Sequence, residues 1–480
     1  MLTRLKVSGF KNLIDVDVRF GPFTCVAGPN GVGKSNLMDA IRFLSLLASE
    51  SPMDAASAVR DAGGRSTDPR NLFYNFRQEK SPRMDFEVEM IVPREATDDL
   101  GFAVEATATL LRYSLSLGWE SANGKGGADR LFILREALSH IPLPEASNSI
   151  CFPHDAAWRE RVVAGSFRVP VFISTEGEDN VVVIHDDFGT ELPPSPLGGG
   201  QRKRTILGAT GTSLFGPTVL TARREFESWR VLQLEPSSLR GSDGFRHPQS
   251  LSSIGAHMPA TLFRLASSED GERVYTQLAN RLAELVGDVR SVEVDRDEAR
   301  ELLTLYLTQS DGTRLPASAL SDGTLRFLAL SILALDPQST GLVCLEEPEN
   351  GIHPMRIPAM IDLLRDLAVD PNDAGEFNPL RQVIFNTHSP LVVKQCPEDS
   401  VVFARTLNVP AGTGRGSSLG LACLPGTWRE KAGMESVGLG TVVNYLEPTL
   451  RQAVPGAPRR VIDRPELQTA LGFNPDETER

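Results

Sequence analysis

Apolar and polar positions alternate from the start of the chain. Leu5-Lys6-Val7 is followed by a turn at Gly9-Phe10-Lys11-Asn12 and by Ile14-Asp15-Val16-Asp17-Val18. This period of two predicts a half-buried hairpin. Phe23–Ala27 is instead a continuous apolar run, read as a buried strand, and a glycine-rich stretch follows it. The rhythm then changes to that of a helix, with Leu37, Ile41, Leu44 and Leu47 on one stripe. A similar succession returns far downstream. A helical stripe of Leu325, Leu328, Ile332 and Leu335 precedes the apolar run Gly341–Leu345. A helix carrying Ile357, Ile361 and Leu364 comes next, then a second apolar strand, Val383–Asn386. Short apolar strands alternating with helices predict an open α/β sheet.

The middle of the chain reads differently. Strands are expected at Phe86–Val92, Thr109–Leu117, Leu131–Leu138, Val169–Ile173 and Val181–His185, some separated by loops at Ser121–Asp129 and Pro193–Arg204. After Ser252 the pattern turns helical, over Ala260–Leu265 and then Val274–Val286, where Leu278, Leu282 and Leu285 share a stripe. Strands at Arg290–Val294 and Leu302–Leu307 lead out. Pro, Gly and Ser interrupt the region repeatedly, so no sustained heptads and no long coiled-coil arm are expected. From Gly426 the chain contains Pro and Arg and ends in polar residues. A single short helix through Leu446, Leu450 and Val454 is expected there, with a loose end.

Composition narrows the classes. At 480 residues the chain exceeds the roughly 250–300 residues at which a single core stops growing. A net charge of −13 argues against a surface coated with phosphate-binding residues, while leaving room for a local basic patch. The five cysteines are scattered, without metal-ligand spacing, and read as buried thiols. No secretory signal core or transmembrane run is present, so a cytoplasmic protein is expected.

The chemistry lies at the ends of the apolar runs. Phe23–Ala27 enters "GPNGVGKSN", in which Gly28, Gly33, Lys34 and Ser35 match G-x-x-x-x-G-K-[ST] between a strand and a helix. Such a loop turns backbone N–H groups inward to cradle phosphates. Lys34 would reach the β- and γ-phosphates, and Ser35 would ligate Mg²⁺. Gly341–Leu345 ends in Glu346-Glu347, then Glu349 and an Asn350-Gly351 turn. Glu346 is expected to hold the metal and Glu347 to orient the attacking water; Glu349 is expected to cap the next turn. Leu320-Ser321-Asp322-Gly323 opens a helix, where Ser-Asp is either a phosphate contact or an ordinary N-cap. Val383–Asn386 ends at Thr387-His388-Ser389-Pro390, within reach of the same crevice.

Together, "LTRLKVSGFKNL…GPNGVGKSNLMDAI", "LSDGT", "LEEPENGIHP" and "FNTHSP" resemble the ATP-binding-cassette fold in its chromosome-maintenance branch, the ATPase head of SMC, RecF and overcoming-lysogenisation-defect proteins. The chain is most similar to stand-alone bacterial ATPases, many of which belong to multi-gene anti-phage systems. The resemblance implies an α/β P-loop NTPase fold, an ABC-ATPase-like head with an added antiparallel β lobe and a helical insert. The head would be discontinuous, 1–93 and 311–425, around an insert at 94–310, with a tail at 426–480.

It also implies ATP and Mg²⁺ as ligands and a head-to-head dimer, or a larger homo-oligomer, enclosing two ATP molecules. Gly28, Asn30, Gly31, Gly33, Lys34, Ser35 and Asn36 would bind nucleotide, with Ser35 and Glu346 on the metal. Ser321, Asp322 and Gly323 would be the signature acting on the partner's γ-phosphate. Glu347 would be catalytic, with His388 as the switch histidine. Glu346 in place of the usual Asp, and Asp322 in place of the usual glycine, depart from the family pattern. The linking-loop glutamine has only Gln78 as a candidate.

The implied role is a sensor or regulatory subunit with a separately encoded effector, such as a nuclease. A nucleotide-locked scaffold and a RecF-like DNA clamp are the alternatives. Arg202, Lys203, Arg204, Arg223, Arg224 and Arg230 read either as a nucleic-acid or partner contact or as solvated loop charge and local salt bridges, and the net −13 favours the second. The acids of "TEGEDN…IHDD" sit too close together for a built-in topoisomerase-primase nuclease, and no His/Cys zinc cluster is expected.

Overall fold

The computed structural model describes residues 1–59, 68–74, 82–121, 129–165, 171–177, 181–192, 202–211, 216–267, 271–375, 377–411 and 414–446. Gln78 lies outside them. In chain order the strands begin with β1 (Leu2–Ser8), β2 (Val16–Arg19), β3 (Phe23–Ala27), β4 (Arg83–Ile91), β5 (Glu95–Thr97) and β6 (Ala103–Glu105). They continue with β7 (Leu110–Glu120), β8 (Arg130–His140), β9 (Val171–Glu176), β10 (Val181–Ile184), β11 (Arg230–Leu232) and β12 (Asp243–Gly244). The last are β13 (Ser291–Asp297), β14 (Leu302–Thr308), β15 (Arg314–Pro316), β16 (Gly341–Glu346), β17 (Arg381–Thr387), β18 (Val401–Ala411) and β19 (Gly414–Cys423).

Two large sheets carry the fold. The first is antiparallel, in the order β10-β9-β8-β7-β4-β1-β2. Its central strands alternate buried and half-buried residues, as the period of two requires. The strands of the middle region thus extend the N-terminal hairpin as one continuous sheet. The second sheet runs β11-β16-β17-β3-β18-β19 and is parallel except for the β18–β19 hairpin. β17 is buried along its whole length and β16 up to Leu345, consistent with a parallel sheet covered on both faces. A smaller sheet of β12, β14, β13 and β15 accompanies the helices Met258–Ala266 and Gly271–Val286.

Helix Lys34–Leu47 buries the predicted stripe of Leu37, Ile41, Leu44 and Leu47, in one core with Leu5 and Val88 of the antiparallel sheet and with Val26 and Ile384 of the parallel one. Phe10 ties these layers together, its ring 5.7 Å from both Phe43 on the helix and Phe86 on β4. Residues Met1–Val437 form one compact unit, and Gly438–Arg480 group separately. In the second group a helix spans Leu439–Leu446. No described helix is long and apolar enough to cross a membrane.

Candidate functional site

The parallel registers set the geometry. β17 lies between β16 and β3, with Glu346 opposite Asn386 and Thr387 opposite Ala27. The three strands therefore deliver Gly28, Glu347 and His388 to one edge, and the Gly28 N–H donates to the Thr387 carbonyl at 3.2 Å. This is the carboxyl end of the sheet, where ligands of open α/β folds bind.

The loop after β3 is shaped by its glycines. A Cβ on Gly28 would stand 2.5 Å from the Ala404 carbonyl oxygen, and Gly33 has φ +111° with the Asn12 side chain against it. Asn12 spans the loop from outside: its Nδ2 donates to the Val32 carbonyl at 3.0 Å and its Oδ1 accepts from Asn36 at 2.8 Å. Helix Lys34–Leu47 starts at Gly33 without a side-chain cap, so its first N–H groups face the loop. Buried Lys34 donates to the carbonyls of Gly28 (2.6 Å) and Pro29 (2.8 Å). Burial pushes its ammonium below the usual lysine range, against the pull of Glu347 and Glu349. Asn30 and Gly31 are exposed, while Ser35 and Asn36 are half-buried.

Glu347 is held on every side. Its backbone has φ +45°, a conformation that costs a non-glycine residue about 1–2 kcal/mol, and its N–H is shared between the backbone and side-chain oxygens of Asn386. Oε2 accepts from Asn350 at 2.9 Å, and Oε1 stands 2.7 Å from His388 Nδ1. A carboxylate oxygen only accepts, so Nδ1 carries the proton in that contact. Partial burial works to raise the Glu347 pKa, but Asn350, His388 and Lys34 outweigh it and hold the carboxyl below its usual range. Glu349 does not cap the next turn. Its side chain is buried, bonded to the Thr387 hydroxyl, and burial pushes its carboxyl up. The sequence marked Asn350 only as a turn residue. Asn12, Asn386 and Thr387 carried no signal beyond a polar residue beside a motif.

Helix Asp322–Leu335 is capped by Ser321, which accepts from the Thr324 N–H at 3.2 Å. Asp322 is paired with Arg240, so its charge is neutralised locally. Gly323 lets the helix start approach the acidic strand's exit turn, since a Cβ there would lie 2.9 Å from the Gly351 carbonyl oxygen. Among the described residues, no hydrogen bond or ion pair joins Ser321–Gly323 to Gly28–Ser35.

Most of the described basic residues in this region are engaged inside the fold. Arg202 is fully enclosed, 2.9 Å from buried Glu136, which also accepts from the N–H groups of Ile206 and Leu207. Arg223 and Arg224 lie on the helix Pro217–Glu227, and both pair with Asp99 and Glu227. Of the six, only Lys203 and Arg204 are exposed. The pairs of Arg202, Arg223 and Arg224, and the bond from Arg230 to the Ser339 hydroxyl, agree with the favoured reading of local salt bridges and internal contacts. Arg202→Ala should therefore cost about 3–5 kcal/mol by stranding the Glu136 charge. A Lys203→Ala/Arg204→Ala double variant should stay within about 0.5 kcal/mol of the parent. Urea denaturation measures both.

The sequence matches the family described as "AAA domain, putative AbiEii toxin, Type IV TA system" over residues 23–164 and 226–394, more than half of the chain. The chain belongs to this family. Shorter stretches of this AAA protein are similar to OLD nuclease of Thermus scotoductus, 49% identical over 41 residues, 8% of each chain. It is also similar to the DNA replication and repair protein RecF of Porphyromonas gingivalis, 38% identical over 61 residues, 12% of this chain and 17% of RecF. The matches thus span a small fraction of these relatives' own lengths. A solved SMC head bound to the C-terminal winged-helix domain of ScpA aligns over 90% of this chain and 99% of its own, at 12% identity and a TM-score of 0.41. The phosphate-loop motif and these short matches to RecF and OLD nuclease fall in with the AAA family assignment.

Proposed function

We propose that this AAA protein hydrolyses Mg-ATP, that two copies close head-to-head around two nucleotides, and that the cycle gates a separately encoded effector in a bacterial defence system. The observation that carries hydrolysis is Glu347, fixed through both carboxylate oxygens at the strand end beside the phosphate loop. The concave backbone at Gly28 and Gly33 suits phosphate, and the Ser35 hydroxyl and Glu346 offer the oxygen donors that magnesium prefers. The metal supplies charge neutralisation on the phosphate oxygens. Lys34 and the loop N–H groups bind the phosphates, while Glu347 orients water and accepts its proton. His388 holds Glu347 in that orientation. Ser321 and Gly323 would act on the other copy's nucleotide, as no described hydrogen bond or ion pair joins them to their own phosphate loop. The toxin–antitoxin wording of the family description and the likeness to OLD nuclease support the defence role.

A nucleotide-locked scaffold is favoured by Asp322, whose charge would oppose a γ-phosphate; the Arg240 pairing weakens that objection. Steady-state ATP turnover with and without double-stranded DNA, against a Glu347→Gln control, separates the readings. Turnover that the control abolishes supports hydrolysis. ATP binding without turnover in any condition replaces it with the scaffold. Stimulation by DNA moves the role toward a RecF-like clamp.

A further inference from the structure

We propose that Asp243, His247 and His257 form a zinc site beside the small sheet and the helix Met258–Ala266. Asp243 lies in the two-residue strand β12, paired to β14, with its side chain 5% exposed. Its Oδ1 is 2.7 Å from His257 Nδ1 and 3.3 Å from His247 Nδ1, and one ligand atom from each residue lies within 4.8 Å of the others. Donors that share a zinc ion at about 2.0–2.2 Å stand roughly 3.0–3.5 Å apart. Without metal His257 Nδ1 donates to Asp243 Oδ1, so zinc would displace this proton, and small side-chain adjustments would then bring the three atoms onto one cation.

The hydrogen bonding agrees with a ligating role. His247 Nδ1 lies 3.2 Å from the Gly244 N–H and 3.3 Å from Asp243 Oδ1, and one ring nitrogen cannot serve both, since it would accept in the first contact and donate in the second. A cation bound between His247 and Asp243 would engage both lone pairs, at the cost of one long backbone hydrogen bond. The other carboxylate oxygen is fixed by the Ala260 N–H at 3.0 Å, which aims Oδ1 at the two rings as an outer partner aims a metal ligand. His257 has φ +71°, a strained position for a side chain of its size, at the start of helix Met258–Ala266. His247 is half exposed and His257 partly so, which leaves room for water to complete four-coordination.

Two imidazoles with one carboxylate suit zinc better than the oxygen-seeking magnesium of the phosphate site. The set escapes sequence reading because one ligand is an aspartate and the third lies ten residues beyond the second, in an irregular segment. Arg240, the partner of Asp322, stands three residues before Asp243. A cation here would thereby stiffen the segment that neutralises the signature aspartate.

The test uses the full chain, dialysed against a chelator and titrated with zinc in competition with a chromogenic zinc indicator. The expected result is one zinc per chain with micromolar or tighter affinity. His247→Ala and His257→Asn should each weaken binding about tenfold or more; Asn tolerates the left-handed backbone at 257. Both variants should show the parent's circular dichroism and, in zinc-free buffer, its melting temperature. Absence of saturable binding at 100-fold excess zinc, or unchanged affinity in both folded variants, overturns the site.

Discussion

Glu347→Gln should bind ATP with near-parental affinity and lose hydrolysis by about 10²–10⁴-fold, the contribution typical of a positioned general base. Glutamine preserves the length of the side chain and an oxygen for Asn350 or His388, but it removes the charge that accepts a proton from water. The parent carboxylate is well prepared for that task. Asn350, His388 and Lys34 hold it ionised despite partial burial. Its protonation would begin only below the usual carboxylate range, so any loss of turnover between pH 7 and pH 5 should come from another group. Phosphate release measures the first effect, and a pH–rate profile the second. Light scattering with ATP should show the variant accumulating as a closed dimer. Turnover within about twofold of the parent would remove Glu347 from the reaction.

Lys34→Ala should weaken ATP binding by about 100-fold or more, or some 3 kcal/mol, the upper end for charge-assisted hydrogen bonds. The lysine has two duties. Its ammonium holds the Gly28 and Pro29 carbonyls, which have a strong donor at 2.6 and 2.8 Å. It is also the cation that offsets Glu347 and buried Glu349. Removing it leaves the two acids with less compensating charge, although His388 still faces Glu347, so local stability should fall with affinity. Fluorescent-nucleotide titration checks the affinity. Unchanged binding in a folded variant would refute the phosphate-loop assignment.

Much of the frame was legible because it follows periodicity. The stripe through Leu37, Ile41, Leu44 and Leu47 and the apolar runs at β3, β16 and β17 are where the hydrophobic pattern places them. The strand β11 and the hairpin of β18 and β19 were not anticipated. β11 is three residues long, and its place is set by Val343–Leu345 alongside it rather than by its own composition. β18 and β19 contain Asn408, Pro410 and several glycines, which weaken any strand signal. The partners of the basic residues were not readable for a related reason. Arg202 has a partner 66 residues away in sequence, and Arg223 one 124 away, distances over which no local pattern operates. At the site itself, motif residues were readable, while their supports, Asn12, Asn350 and Asn386, gained meaning only from register and turn geometry.

The position of β3 between β17 and β18 has a bearing on how the polypeptide is born. Phe23–Ala27 leaves the ribosome more than 350 residues before its two hydrogen-bonding neighbours, Arg381–Thr387 and Val401–Ala411. At bacterial synthesis rates of about 5–20 residues per second, that interval is roughly 20–80 s. For that time a short apolar strand waits with both edges bare, a template for intermolecular pairing. Nascent chains of this protein should therefore lean on holding chaperones, and slower, cooler expression should raise the yield of soluble material.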